Sequence, residues 1–162
     1  MMYKFKEACI RIKEGYGIYS GHQVRKPEDA IRLLKDYVKE LDRECVIAIN
    51  LSASNRPINY HIVSIGGTSG ASVDIPNIFK AAILSNASSI MLIHNHLDGD
   101  ATPSGADLDF TQRAYNASKI IGVPLIDHLV LTPSGEAWSI RGSNPELFTQ
   151  TATEWEDVVA EC

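Results

Sequence analysis

Apolar positions along the chain change their period several times, and each change predicts an element. Over residues 3–14 they alternate (Tyr3, Phe5, Ala8, Ile10, Ile12), which predicts a strand closed by a turn at Gly15 to Gly17. From 26 to 42 the spacing turns helical: apolar residues at 30, 33, 34, 37, 38 and 41 share a face, Pro27 suits the first turn and acids follow it. "CVIAINLS" (45–52) is almost wholly apolar, as in a strand buried on both faces. After the turn letters "SASNRP", the run "INYHIVSIGG" predicts its antiparallel partner. A loop over Gly66 to Gly70, a helix from Pro76 to Ser85 or Asn86 and a buried strand in "SSIMLIHNH" come next. They are followed by a helix in "SGADLDFTQRAYNASKIIG" and two strands around the "TPSG" turn of "PLIDHLVLTPSGEAWSI". From about 143 the chain is acidic and weakly periodic, which fits either a docked terminal helix or a frayed tail.

Helices interspersed among strands predict an α/β or α+β layered fold, and 162 residues suffice for one domain with its own core. Charge narrows the functions: 15 Lys and Arg against 20 Asp and Glu give a net charge of −5, against a broad grip on nucleic-acid phosphates. The 3 cysteines, Cys9, Cys45 and Cys162, form no C-x-x-C pair, which points to a reducing compartment. No signal-peptide core and no membrane-spanning apolar run stand out, so the expectation is a soluble cytoplasmic protein with no membrane partner. A homo-oligomer, through an edge strand or the 76–86 helix, is compatible with the pattern.

Candidate chemistry concentrates in "IMLIHNHLDGDATPSGADLDF", residues 90–110. Residues i and i+2 of a strand point the same way, so His94 and His96 project from one face where the apolar run stops. Two imidazoles so placed suit a metal ion, and catalytic zinc takes a third protein ligand while keeping a position for water. Asp107 falls in the first turn of the following helix, which a return loop can bring back over the strand end. Asp98, Asp100 and Asp109 compete for that carboxylate role. A plainer reading stands beside this one: Ser104 and Asp107 have the spacing of a capping box that closes the helix start. "DGD" at 98–100 lacks the remaining ligands of a calcium loop. The H-x-E and P-C-x-x-C pattern of zinc deaminases is missing too. Asp127 and His128 in "PLIDHLVL" are either partners that orient a ligand histidine or polar residues at the sheet end. His22 and His61 stand at no useful spacing to another ligand-type residue.

Taken together, His94, His96, Ser104 and Asp107 match H-x-H-x7-S-x2-D, the JAMM signature of JAB/MPN-domain metalloproteases. Their surroundings, "IMLIHNHLDGDATPSGADLDFTQR" and "IIGVPLIDHLVLT", resemble the RadC family, and the likeness runs from about Asp29 to Arg141. Two features depart from that family. Leu97 and Asp98 stand where Pro-Ser is usual, and the 162 residues include no match to the helix-hairpin-helix segment of longer members, so only the family name carries a link to DNA repair.

The resemblance implies one JAB/MPN domain, cytidine-deaminase-like, with a mixed curved sheet flanked by helices, its core over about 27–142 and the acidic segment 143–162 beyond. It implies a zinc site of His94, His96 and Asp107 with water in the fourth position, and Ser104 bonded to that water or to the developing oxyanion. It also implies an upstream catalytic glutamate, for which Glu44 in "DREC" is the candidate general acid/base and Glu40 the alternative. The expected activity is zinc-dependent hydrolysis of a peptide or isopeptide bond in a peptide-like or protein substrate. The competing expectation is a non-catalytic or DNA-repair-associated scaffold on the same fold.

Overall fold

The structure, a computed structural model, describes residues 12–13, 21–66 and 74–149. The strand expected over 3–14, its closing turn, most of the 66–70 loop and the chain from 150 onward lie outside them. Helix α1 (Pro27–Lys39) precedes strands β1 (Cys45–Leu51) and β2 (Pro57–Ile65), and helix α2 (Ile75–Leu84) leads into β3 (Ser89–Asn95). Helix α3 (Gly105–Ile121), strands β4 (Leu125–Leu131) and β5 (Ala137–Ser139), the short helix α4 (Ile140–Ser143) and a 3-10 turn (Pro145–Phe148) complete the order.

Among the described residues five strands lie in the order β2-β1-β3-β4-β5 as one mixed sheet that does not close on itself. β3 and β4 are parallel and every other neighbour is antiparallel. The two faces are buried separately. Val46, Ala48, Ile90 and Leu92 pack with Ile78, Phe79 and Ala82 of α2 and Phe110, Ala114 and Tyr115 of α3. Ile47, Ile49, Met91 and Ile93 pack with Ala30, Leu34 and Val38 of α1 on the other side. The uninterrupted apolar runs of β1 and β3 follow from this, since neither strand has a solvent side to alternate with. The result is an α/β fold with the mixed sheet between helices, as the sequence predicts.

The ends of α1 and β5 differ from the sequence expectation, each for a local reason. α1 stops at Lys39 rather than 42, because the Glu40 N–H closes on the Tyr37 carbonyl and the Leu41 N–H on that of Val38, each at 3.2 Å. Leu41, counted in the helical stripe, still packs on the α1-side cluster from the turn. β5 ends at Ser139 because the Ser139 hydroxyl accepts from the Gly142 N–H at 2.9 Å and starts α4. Of the segment from 143, Phe148 is buried in the core, so its first residues are docked.

Parallel pairing of β3 with β4 requires a crossover, and α3 supplies it. The crossover sets the start of α3 beside the C-terminal end of β3, the usual place for a site in such a unit. No helix among the described residues is long and apolar enough to cross a membrane.

Candidate metal centre

β3 reaches the site with fixed parity. Ile90 and Leu92 face α2 and α3, so His94 and His96 continue on that face, while Asn95 points to the α1 side. The two rings meet edge to face with centroids 4.9 Å apart. The chain then turns back through "LDGDATP". Gly99 takes φ 89°, a left-handed conformation that side-chain-bearing residues resist. The Asp98 carboxylate accepts from the Asp100 N–H at 3.2 Å, and that of Asp100 accepts from the Thr102 N–H at 2.8 Å. Ala101 is fully buried and pins the turn. The loop also aims the Asp100 carbonyl at His96 Nδ1, 2.8 Å away. A carbonyl can only accept, so His96 carries its proton on Nδ1 and its Nε2 offers a lone pair.

Ser104 caps α3, and both halves of a capping box are present. Its N–H and hydroxyl donate to Asp107 Oδ2 at 2.8 and 2.6 Å, while the hydroxyl oxygen accepts from the Asp107 N–H at 3.2 Å. The cap thus holds the Asp107 carboxylate over the end of β3. His94 Nε2 lies 3.8 Å from Asp107 Oδ1, and His96 Nε2 lies 3.5 Å from Oδ2. These gaps are too long for good hydrogen bonds. They approach the roughly 3.3–3.4 Å that separates neighbouring ligand atoms around a tetrahedral zinc with bonds of about 2.0–2.1 Å. His94, His96 and Asp107 offer ligand atoms all within 4.8 Å of one another, forming a candidate metal centre.

Electrostatics suit a cation. Burial holds the His94 imidazole below its ordinary pKa, and His96 pushes the same way against the opposing pull of Asp107 and Glu44. It is therefore neutral at pH 7 and free to ligate. Burial would raise the Asp107 carboxyl, but the two Ser104 donors and both imidazoles outweigh it, leaving an anion of lowered pKa.

The other candidates separate clearly. Asp98 and Asp100 are exposed and spent on the loop, and Asp109 is exposed on α3. None of the three joins the metal group. Glu40 belongs to the end of α1. Glu44 is exposed just before β1, where it shares the parity of Val46 and Ala48 and hence the face of His94. Its charge bears on His94 directly. Asp127 bonds Ser139 Oγ at 2.7 Å and the N–H groups of His128 and Arg141 at 2.7 and 3.1 Å. It therefore braces β5 and α4, and none of these bonds goes to His94 or His96. His61 Nε2 contacts the Asn77 carbonyl at 3.0 Å, tying β2 to α2.

His128, by contrast, stands beside the centre, its ring centroid 6.5 Å from that of His94. Thr111 Oγ1 gives its hydrogen to the Asp107 carbonyl at 2.6 Å, so it accepts from His128 Nδ1, also at 2.6 Å. His128 is thereby an Nδ1–H tautomer linked through Thr111 to the ligand helix. Nothing in the local pattern around Thr111 announces this bond; it spans 17 residues. Burial first, then the neighbouring His94, lowers the His128 pKa to about 3 from an ordinary 6.5. The unfolded chain takes up that proton below pH 6.5 and the folded one does not, so stability is whole above 6.5 and falls with pH down to about 3. Between pH 6.5 and 4.5 the metal-free protein should lose roughly 2–3 kcal/mol from this group alone. Urea unfolding at both pH values should show that much less acid loss in His128→Gln; equal slopes would remove the effect.

Comparison with known proteins agrees with this geometry. The model of the RadC-like JAB domain matches residues 24–144. The chain belongs to the RadC-like JAB domain family. Among UPF0758 proteins, that of Desulforudis audaxviator is 37% identical over 108 residues, covering 67% of this chain and 47% of the relative. One from Caldanaerobacter subterraneus is 39% identical over 108 residues (67% and 46%), and one from Geobacillus sp. is 38% identical over 114 (70% and 50%). The chain spans about half the length of the curated relatives it matches. In this RadC-like domain the departure at Leu97 and Asp98 falls on exposed residues beyond the strand end, outside the ligand group.

Proposed function

We propose that this RadC-like JAB domain is a zinc-dependent hydrolase that cleaves a peptide or isopeptide bond, acting in the cytoplasm on a peptide-like or protein substrate. The observation that carries the reading is the trio His94, His96 and Asp107: two imidazoles and one carboxylate, spaced at 3.5 and 3.8 Å with no direct hydrogen bond between them. Three protein ligands from neutral nitrogen and anionic oxygen are the donor set of a catalytic rather than a structural zinc site.

Zinc, when bound, supplies a Lewis acid that brings the pKa of a coordinated water to about 7. Every other part of the reaction falls to this chain. His94 and His96 present Nε2, and the Asp100 carbonyl locks the His96 ring in the tautomer that does so. Ser104 fixes the Asp107 carboxylate through its N–H and hydroxyl. Glu44, on the same face, takes the proton of the attacking water and returns it to the leaving amine. Ser104 turns its hydroxyl from Asp107 to the tetrahedral oxyanion as substrate enters.

The test begins with metal analysis of purified protein, then cleavage of a diverse peptide and isopeptide library before and after chelation. One zinc per chain, loss of cleavage on chelation and its return with zinc are expected. Stoichiometric zinc without cleavage of any member would favour the scaffold reading instead.

A further inference from the structure

Asn95, between the two ligand histidines, is turned away from them and wholly buried. Main-chain pairing of β1 with β3 ends at Val46 opposite His94. Beyond that point the Asn95 side chain takes over: Oδ1 accepts from the Cys45 N–H at 2.6 Å, and Nδ2 donates to the Arg43 carbonyl at 3.1 Å. Both bonds flank Glu44. From the other side the Gly66 N–H donates to the Glu44 carbonyl at 2.6 Å. A Cβ on Gly66 would stand 3.1 Å from that carbonyl oxygen and 3.4 Å from Glu44 Cβ, so glycine there permits the approach.

Residue 44 is thus gripped by its backbone on both sides while its side chain stays exposed. An amide suits this grip: unlike an ionised aspartate it donates as well as accepts, and unlike the shorter serine it does so from two separate atoms. We infer that Asn95 is a positioning residue for Glu44, holding it over the metal centre from within the metal-binding strand. The inference rests on the reading of Glu44 as general acid/base. It makes the central residue of His-Asn-His part of the machinery: alternate residues of one strand bind metal on one face and set the proton carrier through the other.

The test uses the full chain with Asn95→Ser, Asn95→Asp and Gly66→Ala, each alone and combined with Glu44→Gln, loaded with Zn(II) for turnover and Co(II) for visible absorption. Asn95→Ser loses both bonds, Asn95→Asp sets an oxygen against the Arg43 carbonyl, and Gly66→Ala presses on Glu44, whose atoms are the nearest to the added Cβ. Each should keep one metal per chain and slow turnover by about 10–100-fold, the range for residues that orient catalytic groups. Combined with Glu44→Gln, each should slow turnover no further, and the Co(II) spectrum should shift as it does in Glu44→Gln alone. Losses that multiply with that of Glu44→Gln, or variants with parental turnover and spectrum, overturn the inference. If Asn95→Ser does not fold, Asn95→Asp and Gly66→Ala decide by the same criteria. A parent that binds metal but cleaves nothing sinks the proposed hydrolase alone; the Co(II) spectra then judge Asn95 without turnover. A parent that takes up no metal overturns both.

Discussion

Glu44→Gln should bind one metal ion per chain as tightly as the parent and hydrolyse substrate about 10²- to 10⁴-fold more slowly, the span of a lost general acid/base. Glutamine keeps the size and polarity of the side chain and removes only its capacity to carry a proton. The change is safe for the fold, since Glu44 is exposed and its structural bonds are made by the main chain. It leaves the ligand set intact, since His94, His96 and Asp107 come from β3 and the first turn of α3. Metal content by mass spectrometry and single-turnover kinetics on the same preparation separate the two effects. Turnover within a few-fold of the parent would remove Glu44 from the chemistry.

Asp107→Asn should lose metal affinity by about two orders of magnitude. Structural zinc contributes roughly 10–16 kcal/mol through four ligands, or about 3 kcal/mol for each. Asparagine is a sharper probe than alanine here because Asp107 also closes the capping box. The amide oxygen of the variant can still accept the Ser104 N–H now bonded at 2.8 Å, whereas alanine would add about 1 kcal/mol of lost cap to any loss of metal. Chelator competition gives the affinity, and unfolding of the metal-free proteins should differ by less than that cap energy. An Asp107→Asn protein with parental affinity would exclude Asp107 as a ligand. Metal should in turn raise the melting temperature of the parent more than that of the variant, because a ligand that binds only the folded state stabilises it by mass action in proportion to the logarithm of its affinity.

Much of this arrangement was legible before folding was considered. The stripe at 30, 34 and 38 locates α1 on the core, and those are its buried residues. The unbroken run ending in His-Asn-His locates a strand buried on both faces. Ser104 and Asp107 carry two readings in sequence, cap and site; the structure shows the cap, and its bonds hold the carboxylate toward the histidines. Other features had no local sign. Leu41 obeys the helical period yet sits in a turn, because period records burial and not backbone conformation. The adjacent pair Asp127 and His128 reads as one unit, but neighbours on a strand face opposite ways, so His128 lies by His94 while Asp127 bonds Ser139.

The residues by themselves determined everything that depends on short, fixed offsets. Period sets which face of an element is buried, parity puts two imidazoles on one side of a strand, and a spacing of three closes a helix cap. Tertiary structure alone decided which distant groups meet. Asn95 bonds residues 50 and 52 positions away, and Thr111 bonds His128 17 positions away. Those contacts arise from the register of β1 on β3 and from the crossover that lays α3 beside β4. Register is set by packing over the whole sheet, which no local offset encodes.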